Sequence, residues 1–430
     1  MHDNEILRQE ICKGVNFTYI PDTKFKTSLI SFSMFTPLSE REASNNAIIP
    51  SLLSHSCKKF PKISDISIRL EELYGSSINS SLSKVGDSQV LTLSAVGLNS
   101  AFTHDNTNNI ADLSELLCEM IFNPDIENES FKNENIEQEK RQLIEDIMSE
   151  MSDKKLYARK RCREIMCKDE KFGINSYGTI EAVKEINGKE VYKTWKKLLE
   201  SSRIEITMVG CGNHTSVISE FKNRFSNINR NNIVSLDNEI IRKAEDIKEI
   251  NETMDITQCK LVMGLRTDVA YPDNDVPAVI LMNALFGGTA QSKLFLNVRE
   301  KLSLCYYCSS KYNKHKGIMF VESGVEQDKV SEAKKEIMKQ LKEIKIGNFT
   351  DSEFSETKLY LSQNIKSIND NLSALNDWYV LQSFSPNIKT PESFIKEINE
   401  VSREKVIDVA NKITLDTVYL LSSKEKKEEN

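Results

Sequence analysis

Apolar and polar residues alternate or cluster in blocks along this chain, with turn-forming residues between them. TSLISFSMF, Thr27 to Phe35, has the mixed alternation of a buried strand, and the polar residues after Pro37 lead into a helix-like run, AIIPSLLSHS. A second predicted helix, Ser64 to Tyr74, sets Ile66, Leu70, Leu73 and Tyr74 on one face, and VLTLSAVGL from Val90 predicts a strand. Next come a short apolar helix, Ile110 to Phe122, and a long charged one in which Ile136, Leu143, Ile144, Ile147 and Met151 recur at helical spacing. RIEITMVG, Arg203 to Gly210, alternates as a central strand does, and CGNH follows it as a turn.

From Asn227 to Asn251 the chain is polar, charged and poor in apolar periodicity, as a linker is. The order of elements then restarts. QCKLVMGLRT is strand-like, PAVILMNALFGG is helical and ends at glycines, and GIMFVESGV is a strand. Helices are predicted over Val330 to Ile344 and Ser352 to Lys366, and TVYLLSS from Thr417 is the counterpart of Arg203 to Gly210. The restart predicts an α+β protein of two similar domains from an internal duplication, each a mostly antiparallel sheet covered by helices. The expected division is 1–226, a linker over 227–251, 252–425, and a solvated charged tail over 426–430.

Composition narrows the function. A length of 430 residues exceeds one ordinary core and fits two domains. The 57 basic and 64 acidic residues leave a net charge of -7, so neither nucleic acid nor an anionic membrane is an expected partner. The opening MHDNEILRQEICKGVNF lacks the apolar run of a signal peptide, and no later stretch approaches ~18 uninterrupted apolar residues, so a soluble, cytoplasmic protein is expected. Nine scattered cysteines fit buried reduced thiols better than a disulfide framework.

Few residues suggest chemistry by their spacing. Cys211 and His214 in CGNH are spaced as half of a metal site without a matching half. Cys305 and Cys308 form a CxxC in a predicted strand, where side chains three apart point to opposite faces, so core thiols are expected. Cys162 and Cys167, five apart, suit neither a disulfide nor a metal, and His55, between two serines, is expected at a surface or helix end. Neither a GxSxG elbow nor a Walker-type glycine loop occurs.

NALFGGTAQSKLFLNVREKLSLCYYCSS resembles the signature segment of the insulinase/pitrilysin/mitochondrial-processing-peptidase family. In that segment a helix ends at glycines, here Gly287 and Gly288. A leucine-phenylalanine pair follows, Leu294 and Phe295, and then Arg299 seven residues before Tyr306. KKFPKISDISIRLEELYGSSINS, Lys58 to Ser80, is similar to the segment after that family's zinc helix, and EKRQLIEDI, Glu139 to Ile147, to its third-ligand helix. Active members carry His-x-x-Glu-His, two imidazoles for zinc on one helix face and a carboxylate to deprotonate the bound water. The matching positions here are Ala47, Ile48, Ile49, Pro50 and Ser51, with neither imidazole nor carboxylate and with a proline inside the helix. Glu145 or Asp146 falls in the place of the third ligand and, with no histidines opposite, reads as an exposed carboxylate.

The likeness is to the YmfF-like branch of the family, which lacks the zinc motif. In the family, the arginine and tyrosine come from the second domain and close over the zinc of the first. In some two-subunit bacterial members one chain carries zinc and the other the arginine and tyrosine. The resemblance therefore implies a chain without a metal or cofactor of its own, with Arg299 and Tyr306 as peptide-binding residues. It also implies a heterodimeric partner, a zinc-bearing homologous subunit, and an unstructured peptide as substrate. Alternatively the chain is a non-enzymatic scaffold that holds a peptide or protein for a modifying enzyme. Arg299 as half of an ion pair on its own helix, Tyr306 as an ordinary sheet residue and Gly287–Gly288 as a helix terminus are the structural readings.

Overall fold

Strands of alternating polarity build two sheets of the same topology. In the computed structural model, which describes residues 6–104, 108–382 and 388–424, the first half contains Leu7–Cys12 (β1), Val15–Pro21 (β2), Thr27–Pro37 (β3), Ser77–Val85 (β4) and Ser88–Leu98 (β5). A short ribbon of Ile126–Glu127 (β6) and Ser130–Phe131 (β7) precedes Arg203–Gly210 (β8). The six longer strands pair in the order β1-β2-β8-β3-β5-β4, with only β2 and β8 parallel. Ile30, Phe32 and Met34 of β3 face a core shared with Phe17, Leu91, Leu93, Ile204, Ile206 and Met208. Their neighbours Ser31 and Ser33 point the other way, as a period of two requires, and bond Thr207 at 2.7 Å and Thr92 at 2.8 Å.

The helices of this half are Ala43–His55 (α1), Ile63–Glu72 (α2), Asn109–Phe122 (α3), Asn133–Ser152 (α4), Lys154–Met166 (α5), Ile180–Glu185 (α6), Gly188–Ser201 (α7) and His214–Phe225 (α8). Leu52 and Leu53 of α1, Leu113 and Leu117 of α3, Leu198 of α7 and Phe221 of α8 all enter the core on the apolar face.

The second sheet contains Lys248–Met254 (β9), Cys259–Arg266 (β10), Cys305–Asn313 (β11), Ile318–Val325 (β12) and Thr414–Ser423 (β13), in the order β11-β12-β10-β13-β9. Its one parallel pair is β9 with β13. Remove β1, and β4-β5-β3-β8-β2 matches β11-β12-β10-β13-β9 strand for strand, including the single parallel pair. This shared order is the internal duplication expected from the restart of the pattern. The accompanying helices are Val276–Asn283 (α9), Val330–Lys345 (α10), Asp351–Ser367 (α11), Leu372–Val380 (α12), Pro391–Glu400 (α13) and Arg403–Lys412 (α14), with π-helical segments over Ala284–Gly288 and Leu294–Lys301. Leu261, Met263, Val279, Phe286, Val298, Ile337 and Val409 belong to the second core.

The compact units depart from the linear division expected from the sequence. The first takes Met1–Met148, Ile174–Asp237 and Ile368–Ile388; the second takes Ser149–Gly173, Asn238–Ser367 and Lys389–Asn430. In the second unit, α5 lays Ala158, Cys162 and Met166 against Val262, Phe320 and Tyr419. Gly264 permits this approach, since a Cβ there would lie 2.5 Å from the Met166 sulfur. Beside it Arg266 is buried between Glu170 at 2.7 Å and Asp416 at 2.8 Å, and Lys316 lies 3.0 Å from Glu170. In the first unit, α12 packs Leu375 and Tyr379 against Ile20 and Val209, and Asn376 Oδ1 accepts from Ser31 at 2.8 Å and from Thr207.

The stretch expected to be a linker is more ordered than its composition implies. Arg230, 4% exposed, donates to the carbonyls of Lys13, Leu199 and Ser202, and burial pushes its pKa down to about 10. At its far end Lys248 begins β9, an edge strand so exposed that no apolar period marks it. The charged tail over 426–430 and the first five residues lie outside the described residues.

Candidate functional site

Two hollows, one in each unit, gather the residues singled out by the sequence. The first is formed by α1, α4 and the edge strand β4. α1 continues through Pro50, which lacks an N–H and crowds the preceding turn. Ala47, Ile48, Pro50 and Ser51 line a hollow of about 270 Å³, together with Ser80, Ser81, Leu82, Glu139, Gln142, Leu143, Asp146 and Tyr177. Ile49 is turned into the core instead.

Of the two acids that the family resemblance sets at the third-ligand place, Asp146 lines this hollow and Glu145 is exposed outside it. Helical spacing explains the difference, because Glu139, Gln142 and Asp146 share one face of α4. Gln142 Nε2 donates to Asp146 Oδ1 at 3.0 Å. Glu139 is only 5% exposed, and its carboxylate lies 3.0 Å from Nδ1 of His55, at the C-terminal end of α1. That hydrogen bond raises the His55 pKa. His55 thus stands at a helix end as expected, but it is paired with a buried acid that lies far away in the sequence and carries no local signal.

These residues do not fit zinc. The motif positions present a methyl group, a pyrrolidine ring and a hydroxyl, and the nearby imidazole is engaged by Glu139. Among the described residues, no group of three His, Cys, Asp or Glu side chains is placed to hold a metal ion.

The second hollow belongs to the second unit. Arg299, on the π-helical segment Leu294–Lys301, lies over the Phe295 ring at 4.7 Å, with Nε 3.4 Å from Glu300. Tyr306 is 62% exposed at the start of β11, and its hydroxyl is 3.3 Å from Glu326. Hydrogen bonding from Lys329, and then from Tyr306, holds the Glu326 carboxyl below its ordinary pKa. Arg299 and Tyr306 line the same open hollow of about 400 Å³, with Glu300, Ser303, Leu304, Cys305, Glu326 and Lys329. Gly287 acts through close approach rather than a left-handed helix end: a Cβ there would lie 2.6 Å from Leu294 and 2.7 Å from the Ser310 amide.

A β-bulge corrects the sequence reading of the CxxC. Cys305 pairs with Val325 and Tyr307 with Gly324, so Tyr306 is an extra residue on β11. The bulge turns Tyr306 outward and brings Cys305 and Cys308 to the same side, buried in the same core, rather than to opposite faces.

The remaining candidates are separate. The Cys211 thiol is 3.2 Å from the Asp22 carbonyl, whereas the His214 ring stacks on Tyr19 at 4.4 Å. Cys162 faces the Val262 carbonyl at 3.9 Å, and burial pushes the Cys167 thiol up to about 12. Among the described residues, no helix is long and apolar enough to cross a membrane.

Residues 185–361 match the family described as Peptidase M16 inactive domain. Over 413 residues the chain is 31% identical to the probable inactive metalloprotease YmfF of Bacillus subtilis, covering 96% of each. The chain belongs to the M16 peptidase family. Its M16 architecture recurs in the crystal structure of a conserved protein from Enterococcus faecalis, 28% identical, with a TM-score of 0.90 over 98% of this chain and 100% of that one. The M16 inactive-domain structure from Pseudomonas fluorescens shares the fold at 14% identity, with a TM-score of 0.79 and 98% of each chain covered.

Proposed function

We propose that this chain is the non-zinc subunit of a two-chain M16 peptidase, binding an unstructured peptide and presenting Arg299 and Tyr306 to the zinc site of a homologous partner. The observation that carries this reading is the contrast between the two hollows. The first has lost every ligand type at Ala47, Pro50 and Ser51, while the second keeps a guanidinium and a phenol around one open hollow. A guanidinium and a phenol are the donors that a developing oxyanion needs, and the Phe295 ring orients the first of them. Peptide binding is supported by β4, an edge strand whose Ser80 and Ser81 lie beside the first hollow, since an unpaired edge accepts an extended peptide as a further strand. The likeness to a probable inactive metalloprotease supports the absence of hydrolysis by this chain alone. We place this work in the cytoplasm, where nine cysteines remain reduced.

The test is peptidase activity on an unstructured peptide library, measured with this chain, with a zinc-bearing homologue from the same cell and with the two mixed, zinc being quantified in each. Cleavage confined to the mixture is expected, with zinc in the partner. Cleavage by this chain alone would overturn the reading. One observation favours the scaffold alternative: Arg299 and Tyr306 already meet acids of their own chain, Glu300 and Glu326. Peptide binding without cleavage in every arm would establish that alternative.

A further inference from the structure

We propose that Cys305 and Cys308 are a peroxide-sensitive dithiol, closed to an intrachain disulfide by a hydroperoxide that enters the hollow lined by Arg299 and Tyr306. The bulge at Tyr306 sets both thiols on one side of β11, buried in the same core. Their exposure differs in a useful way. Cys305, 9% exposed, lines the open hollow, whereas Cys308, 4% exposed, lies behind it in the core. A small oxidant therefore meets Cys305 first and leaves Cys308 to resolve it.

The local charge favours the same order. The hydrogen bond from Cys308, then the Ser323 hydroxyl and the Arg299 charge, lower the Cys305 pKa. The hydrogen bond to Cys305 and burial raise that of Cys308. Burial also drives Cys57, Cys118, Cys162, Cys167 and Cys211 upward, so Cys305 differs from these thiols in electrostatics as well as access.

In the first step the Cys305 thiolate attacks one peroxide oxygen. The O–O bond breaks, the departing hydroxide takes a proton to become water, and Cys305 becomes a sulfenic acid. In the second, the Cys308 sulfur attacks Cys305, an S–S bond forms, the S–O bond breaks, and hydroxide leaves with the thiol proton as a second water. The pair loses two electrons and the peroxide gains them. Closure joins the sulfurs at about 2.0 Å across the bulge that carries Tyr306, and movement of that residue is the expected consequence. The effect of that movement on peptide turnover rests on the reading of Tyr306 given above; the thiol chemistry does not.

The experiment treats the reduced full chain with hydrogen peroxide, blocks remaining thiols with iodoacetamide and maps the peptides. A Cys305–Cys308 link is expected before any other cysteine is modified, reversed by dithiothreitol. Cys308→Ser should trap a dimedone-reactive sulfenic acid at Cys305, with thermal denaturation confirming that the variant folds. Modification of Cys305 no faster than that of Cys162 or Cys167 in the native wild-type chain would overturn the proposal. A link formed in a preparation that cleaves nothing, even with the zinc-bearing homologue, would support the dithiol while the proposed function fails.

Discussion

His55, at the end of α1, carries a charged contact whose strength depends on pH. Glu139 is buried against it, and the hydrogen bond raises the imidazole pKa above its ordinary 6.5. A group whose folded pKa is raised stabilises fully below the unfolded value and loses that contribution as pH rises through the folded one. His55 is more than a third exposed, so solvent screening limits the effect to less than about 1 kcal/mol. His55→Gln keeps a donor for Glu139 but cannot titrate. It should fall below wild type in urea midpoint at about pH 6 and approach it by about pH 8.5. A pH-independent gap would assign the effect to packing. Arg299 poses the opposite case, being exposed and weakly paired. Arg299→Ala should change stability by no more than about 0.5 kcal/mol, yet lower turnover of the mixed peptidase without preventing assembly. Unchanged turnover would remove Arg299 from the proposed function.

Elements were legible where they bury a regular face. α3, β8, β10, β12 and β13 carry enough apolar residues on one face, or on both, for their period to be read directly. The edge strands β1, β4 and β9 were not, because exposure on one edge leaves LRQEIC, SINSSLSKV and KEINETM largely polar. Nor could the bulge in β11 be seen, since it depends on pairing with β12 rather than on local residue types. Ala47, Pro50 and Ser51 do lie on a helix, as AIIPSLLSHS predicted, but which of Glu145 and Asp146 faces them needed the orientation of α4. That choice is testable by grafting the missing ligands. Ala47→His, Pro50→Glu and Ser51→His together should produce a chain that binds zinc, because these positions and Asp146 line one hollow. On that background Asp146→Ala should weaken zinc binding by more than about tenfold, ~1.4 kcal/mol, and Glu145→Ala should leave it nearly unchanged. The reverse order in calorimetry would return the third-ligand place to Glu145.

At the scale of the whole molecule, two units with separate apolar cores raise the question of whether they unfold as one. The chain contains two tryptophans, Trp195 and Trp378, and both belong to the first unit. Trp195 donates to the Ile121 carbonyl at 3.0 Å, and Trp378 packs in the cluster of Ile20, Val209 and Leu375. Tryptophan fluorescence therefore reports the first unit, whereas circular dichroism reports helices and strands of both. Arg266 supplies the perturbation, buried in the second unit between Glu170 and Asp416. Arg266→Ala takes away the ion partner of buried Asp416 and leaves Glu170 with Lys316 alone, and should cost about 3–5 kcal/mol. Because α5 and the Arg266 group belong to the second unit while α12 and Asn376 belong to the first, each sheet keeps its own covering helices. The expected result in Arg266→Ala is a dichroism curve with an early step at low urea and a fluorescence midpoint that stays at its wild-type value. Fluorescence and dichroism midpoints that fall together would show instead that the interleaving of the chain between the units, at Ser149–Gly173 and Ile368–Ile388, joins them into one cooperative block.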